Sequence, residues 1–201
     1  MKVLGITGGV GSGKSMVVDY ITRTFRVRAI QADLVAHALM EPGGDCYERI
    51  AAYFGKEILK SDLTIDRKKL GAVVFADREK LKKLNSLVHP RVKEFIAAEI
   101  RKERDAGKTS LLVIEAALLI EDHYEVFCDE IWYVYAQKEV RRRRLVSMRG
   151  YSKEKVEQIM KNQLSDEEYR KYCHFIVDNS SDIVENTFKQ IDKGLVEHGL
   201  L

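Results

Sequence analysis

The sequence predicts an α/β chain: a five-stranded parallel sheet with helices on both faces and an inserted helical lobe. Three observations lead there. Short apolar runs alternate with longer segments of helical periodicity, the order that builds parallel sheets through helical crossovers. A glycine-rich loop lies directly between the first apolar run and the first helical segment. The stretch between the second and third apolar runs is too long for a single crossover, yet it is almost wholly helical in pattern. With 201 residues the chain has room for one substantial core and a small lobe beside it.

The elements follow in order. Residues 3–7 are short, apolar and closed by glycines, as in a buried central strand. Residues 15–24 place Met16, Val17, Tyr20 and Ile21 at helical spacing. Residues 27–30 make a second strand that ends at Gln31-Ala32-Asp33, and a helix is expected over 34–40 before the breaker Glu41-Pro42-Gly43-Gly44. Four apolar faces follow within residues 45–106: Ile50, Tyr53 and Phe54; Leu70, Val73, Val74 and Phe75; Leu81, Leu84, Leu87 and Val88; Val92, Phe95, Ile96 and Ile100. His89-Pro90 marks a helix entry, because proline suits the first helical position. Leu111–Glu115 is a strongly apolar strand with an acid at its end, and Glu130–Tyr135 is another. In that second strand Trp132 is expected in the core, with Tyr133 and Tyr135 as packing residues. Helices are expected over 138–148, 152–163 and 166–172, a short strand over 175–177, and a terminal helix after Asp178-Asn179-Ser180-Ser181. Internal repeats and low-complexity segments are absent.

Composition narrows the class. Apolar content of 45% and charged content of 32% are globular values. The net charge of +3 suits anionic ligands and is too weak to argue for nucleic acid. Three cysteines, widely spaced and without a C-x-x-C pair, speak against a disulfide framework or a zinc site. No run is long enough to span a membrane, and the first apolar stretch passes straight into the glycine loop, unlike a signal peptide. A soluble cytoplasmic protein is expected, binding neither nucleic acid nor membrane and acting as a monomer or weak homo-oligomer.

The glycine loop carries the chemistry. Residues 8–15 read Gly-Gly-Val-Gly-Ser-Gly-Lys-Ser and fit G-x-x-x-x-G-K-[ST] in the strand–loop–helix setting of a P-loop. Glycines let the backbone curl so that successive N–H groups point at phosphate oxygens. The following helix offers unpaired N–H groups and a positive dipole end to the same anion. Gly8, Gly9, Gly11, Ser12 and Gly13 form the cradle, Lys14 reaches the terminal phosphates, and the Ser15 hydroxyl suits Mg2+. A nucleoside triphosphate ligand follows.

Other candidates sit at strand ends, where open parallel sheets bind ligands. Asp33, after the second strand, can accept a proton from an attacking hydroxyl or cap the helix that follows. Glu115, after the third strand, can order Mg2+ through water, line an acceptor pocket, or merely end the strand. Glu121 reads as a surface residue. Arg141-Arg142-Arg143-Arg144 with Arg149 is the largest basic cluster, and on a helix Arg141 and Arg144 share a face. The run fits a lid over the triphosphate, a solvated basic face, or an RNA patch. A lid arginine is worth roughly 10³–10⁵ in rate in related phosphoryl transfers. His89 can touch substrate or cap a helix. Asn179 can edge a nucleotide base or belong to an ordinary turn.

Taken together, these residues resemble the dephospho-coenzyme A kinase family along nearly the whole chain. The likeness is carried by residues 5–15, by Ala32-Asp33 with Glu41-Pro42-Gly43, and by Phe54-Gly55, Ile58-Leu59 and Asp66-Arg67 with Leu70. It continues through Val74-Phe75, Leu84-Asn85 with Leu87-Val88-His89-Pro90, Leu118-Leu119 with Glu121, and Val177-Asp178-Asn179. The P-loop alone is shared by many kinases; its combination with Asn85 and His89-Pro90 is far more specific. The resemblance implies a single P-loop kinase unit over 1–201. Within it, 1–40 and 107–201 form the nucleotide core, 41–106 a helical CoA-binding lobe, and 137–151 a helical lid. It implies transfer of the ATP γ-phosphate to the 3′-hydroxyl of dephospho-CoA, with Mg2+, the last step of coenzyme A synthesis. It places Gly11 through Met16 around the phosphates and makes Asp33 the base or the residue that orients the hydroxyl, with Lys14 and the lid arginine Arg144 also catalytic. Arg141 and Asn179 join the nucleotide site, and His89, Glu115 and Leu118 the acceptor site.

The sequence departs from the family pattern at three places. Ala117 stands where proline is common, and Met16 where threonine is usual. The lid usually shows two arginines four apart, whereas four on from Arg144 is Met148, with Arg149 next. Another small-molecule kinase, or a nucleotide-dependent protein that binds RNA or a partner, are the alternative readings. No guanine-reading Asn-Lys-x-Asp motif is present.

Overall fold

Apolar runs of four to six residues build one five-stranded sheet in the computed structural model, which describes residues 1–201. The strands are β1 (Lys2–Thr7), β2 (Arg28–Gln31), β3 (Leu111–Glu115), β4 (Glu130–Tyr135) and β5 (Phe175–Asp178), in the spatial order β2-β3-β1-β4-β5. The ladders of β1 with β3, β1 with β4 and β4 with β5 are all parallel. Every residue of β3 is buried, which explains its unbroken apolar run: a strand covered on both faces cannot alternate. The helices are α1 (Lys14–Phe25), α2 (Ala32–Leu39), α3 (Tyr47–Phe54), α4 (Arg67–Ala76), α5 (Arg78–Ala106), α6 (Lys138–Arg149), α7 (Lys153–Lys161), α8 (Asp166–Tyr172) and α9 (Val184–Glu197). No helix is long and apolar enough to cross a membrane.

The chain divides into two compact units, Met1–Ile30 with Lys102–Leu201, and Gln31–Arg101. In the first, Leu4 and Ile6 of β1, Val113 of β3 and Trp132 and Val134 of β4 pack with Val17 and Ile21 of α1 and Ile191 and Leu195 of α9. Tyr133, on the other side of β4 from Trp132, is buried and stacks on Tyr169 of α8 with ring centroids 4.6 Å apart. Its hydroxyl donates to Asp166 at 2.6 Å.

The second unit is helical. Ile50 and Phe54 of α3, Leu70 and Val74 of α4, and Val88, Val92, Ile96 and Ile100 of α5 are buried. Three sequence expectations are corrected here. His89-Pro90 is not a helix entry, because α5 runs unbroken from Arg78 to Ala106 with Pro90 inside it. An internal proline removes one backbone bond and costs roughly 3 kcal/mol. The stripe Val88–Val92–Ile96–Ile100, spaced by four and buried throughout, continues across the proline and offsets that cost. The true entry is Asp77, whose carboxylate accepts from the backbone N–H groups of Glu79 and Lys80. Phe75, expected on the apolar face of α4, is 87% exposed, and Tyr53 and Phe95 are exposed too. Five residues beyond Leu70, Phe75 has rotated away from the face that Leu70 and Val74 share.

Candidate active site

The P-loop follows β1, the central strand, and opens directly into α1. Gly13 precedes that helix at φ 96° and no side chain caps it, so the first N–H groups of α1 remain available to an anion. Three alternate carbonyls of the loop are held by side chains. Lys14 Nζ donates to the Gly8 carbonyl at 2.7 Å. Arg141 Nε donates to the Val10 carbonyl at 3.0 Å. Asn179 Nδ2 donates to the Ser12 carbonyl at 2.7 Å, joined by Arg144 Nη1 at 3.5 Å. The Val10 and Ser12 N–H groups are engaged by Gln163 and the Gly9 carbonyl, so the N–H groups of Gly11 and Gly13 are the ones the loop leaves for an anion nest. Ser12 Oγ and Thr7 Oγ1 are buried beside the loop with no hydrogen-bond partner in the chain. Such groups cost about 1–3 kcal/mol each until a partner arrives.

Glycine is required where those side chains approach. The Arg141 guanidinium occupies the space that a Cβ at residue 9 would need, and the Asn179 amide does the same at residue 13. Asn179 is itself fixed, since Thr187 Oγ1 donates to its Oδ1 at 3.0 Å. Both polar ends of the Asn179 side chain are thus engaged within the protein.

The arginine run does not form one free basic face. Arg141 is buried and turned to Val10. Arg142 pairs with Glu157 of α7, Arg143 with Asp182, and Arg144 lies by Ser12. Burial lowers the Arg144 pKa, opposed by Asp182 and assisted by Arg143. The helix α6 therefore turns two of its arginines, one turn apart, onto the P-loop. Arg149 ends the helix in an exposed position.

Glu115 is buried at the end of β3, abreast of Ile6 of β1, and Leu118 is 46% exposed in the turn beyond it. Glu121 is exposed, yet burial of its carboxyl raises its pKa, with Glu168 adding to the rise and Lys14 opposing it. It therefore lies within electrostatic reach of the P-loop lysine, which the sequence did not disclose. Ser15 is exposed in the first turn of α1, and Met16 packs partly against the sheet core. No cluster of three or more His, Cys, Asp or Glu residues could hold a metal ion on its own. A hydroxyl together with phosphate oxygens is the hard-oxygen donor set that Mg2+ takes in such sites, so Ser15 fits it.

Asp33 and His89 belong to the second unit. Asp33 is exposed in the first turn of α2, two residues after the end of β2; the helix begins at Ala32 with Gln31 at its cap, so Asp33 is not the cap residue. His89 is half-buried in the middle of α5. Sequence reasoning missed Gln163 and Thr187. Gln163 Oε1 accepts from Val10 N and from Arg141, and Thr187 supports Asn179. A lone glutamine after a helix and a threonine inside one carry no signal of such roles.

Sheet order, loop and helix together define the class: a P-loop kinase. The family model for dephospho-CoA kinase matches residues 2–185. The chain belongs to the dephospho-CoA kinase family, whose members are ATP-dependent kinases. It is 38% identical to the dephospho-CoA kinase of Aquifex aeolicus, over 96% of this chain and 95% of that one. It is 36% identical to that of Listeria innocua, over 94% of both. Among solved structures, the dephospho-CoA kinase of Campylobacter jejuni superposes with a TM-score of 0.71 at 25% identity, covering 99% of this chain and 98% of that one. A shikimate kinase of Acinetobacter baumannii, at TM-score 0.56 and 11% identity over 100% of this chain and 96% of that one, shares the fold alone.

Proposed function

We propose that this chain transfers the γ-phosphate of ATP to the ribose 3′-hydroxyl of dephospho-CoA, giving coenzyme A and ADP. The observation that carries the reading is the P-loop with its Gly8, Val10 and Ser12 carbonyls held outward by Lys14, Arg141 and Asn179, in a chain of this family.

The N–H groups of Gly11, Gly13 and the start of α1 receive the β- and γ-phosphates, the Ser12 N–H being held by the Gly9 carbonyl, and Lys14 neutralises charge that develops on the transferred group. Arg144, whose charge burial disfavours, gains an anion to face. The Ser15 hydroxyl would hold Mg2+, which would supply charge neutralisation at the phosphates. Asp33 orients the ribose hydroxyl and takes its proton as the oxygen bonds to the γ-phosphorus and the bond to the β–γ bridging oxygen breaks. His89, Glu115 and Leu118 shape the acceptor site, and Asn179 shapes the nucleotide site by holding Ser12. Closure of the segment around α6 excludes water that would otherwise hydrolyse ATP. The thiols of Cys46, Cys128 and Cys173 are all free, which supports a reducing compartment such as the cytoplasm.

The test is a panel of acceptors with Mg-ATP: dephospho-CoA, nucleosides and shikimate, with products identified by mass and by phosphorus NMR. Dephospho-CoA alone should gain one phosphoryl group, at the 3′ position. Phosphorylation of a different acceptor, or of a different hydroxyl, would contradict the assignment.

A further inference from the structure

Gln163 lies two residues beyond α7, in the short connection to α8, where its own N–H donates back to the Met160 carbonyl at 3.4 Å. Its Oε1 accepts two hydrogen bonds, from Val10 N at 3.2 Å and from Arg141 Nη2 at 2.5 Å. Arg141 Nε in turn donates to the Val10 carbonyl at 3.0 Å. Val10, Arg141 and Gln163 thus close a ring in which both sides of the Val10 residue, its N–H and its carbonyl, are held. The two bonds that the guanidinium donates are charge-assisted, and Arg141 is buried. The Val10 N–H is therefore committed to the protein, and the phosphate cradle begins at Gly11.

We propose that Gln163 is a positioning residue for the phosphate cradle. It fixes the Val10 peptide and the Arg141 guanidinium together before nucleotide arrives, and it links the P-loop to the α7–α8 connection. The ion pairs between α7 and α6 are weak by comparison. Glu157 pairs with Arg142 and, at 3.5 Å, with Lys138, all on the exposed surface where ion pairs contribute little. The buried ring is the specific connection. Both partners of Oε1 are donors, so the chemistry needed at residue 163 is an acceptor on a three-carbon reach. Glutamate retains that acceptor, and methionine has nearly the same length without it.

The inference rests on the P-loop being the ATP site, and ADP titration of the unaltered chain tests that separately. If the unaltered chain does not bind ADP, both fall. If it does, Gln163→Met should weaken ADP binding and raise KM for ATP by about tenfold, the worth of a lost charge-assisted hydrogen bond. KM for dephospho-CoA should stay unchanged, and Gln163→Glu should recover most of the loss. Equal losses in both variants, or equal rises in KM for both substrates, would overturn the proposal, because shape or general stability would then explain them. If the methionine variant does not fold, hydrogen exchange of the unaltered chain decides. The Val10 amide should be protected without nucleotide; protection appearing only with ADP would overturn the proposal.

Discussion

The two units differ in what they bury. The sheet unit buries Thr7, Ser12, Lys14, Glu115, Arg141, Asn179 and Thr187, whereas the helical unit buries no polar or charged side chain of that kind. Five of those seven belong to the P-loop or touch its carbonyls directly or through one neighbour. Buried polarity is expensive unless paired, so its concentration around one loop marks where the fold sacrifices stability for chemistry. The core of the helical unit is mainly aliphatic, and its buried Tyr47 hydroxyl is satisfied by the Leu63 carbonyl. The residues of that unit to which the proposed function gives a part, Asp33 and His89, are exposed and half-buried respectively.

That contrast can be broken from either side. The largest effect is expected at Lys14→Ala, which removes the cation proposed to face the transferred group. Turnover should fall by roughly 10³–10⁵, with weaker ATP binding, in steady-state kinetics and ADP titration. Asp33→Asn should lower kcat by about 10²–10⁴ and leave ATP affinity intact, because its proposed part is played on the acceptor hydroxyl and not on the nucleotide; full turnover in that variant would remove Asp33 from the mechanism. Ile96→Ala, in the apolar core of the helical unit, should cost about 2–5 kcal/mol in denaturant unfolding while ADP affinity is retained. Asn179→Ala should do the reverse: a smaller cost, about 1–3 kcal/mol, accompanied by weaker ADP binding, because the Ser12 carbonyl and Thr187 lose their partner. The smallest effect is expected from thiol alkylation at pH 8. Burial pushes the Cys128 and Cys173 thiols up to about 12, so little thiolate exists there, and activity should be unchanged after iodoacetamide treatment.

The sheet unit was legible where sequence pattern and physics coincide. Unbroken apolar runs gave β3 and β4 to the residue, and the glycine motif located the cradle because only that backbone curls around an anion. Helical spacing also put Arg141 and Arg144 on one face, and both turn to the P-loop. What holds the loop was not legible. Gln163, Arg141 and Val10 are far apart in the chain, and a hydrogen-bonded ring leaves no periodicity behind. Pro90 misled for a related reason: local propensity argues for a helix start, and only the buried stripe on both sides of it shows that packing prevails. The distinct partners of Arg141, Arg142, Arg143 and Arg144 were likewise invisible, since a run of like charges reads as one surface until the fold separates them.

The central claim is that a prepared nucleotide site is coupled to one acceptor, and it is tested most directly by counting products. ADP and coenzyme A are measured in the same reaction, with Mg-ATP supplied in the presence and absence of dephospho-CoA. One coenzyme A is expected for each ADP, with ADP formation dependent on the acceptor. ADP released equally with and without dephospho-CoA, or without matching coenzyme A, would contradict it.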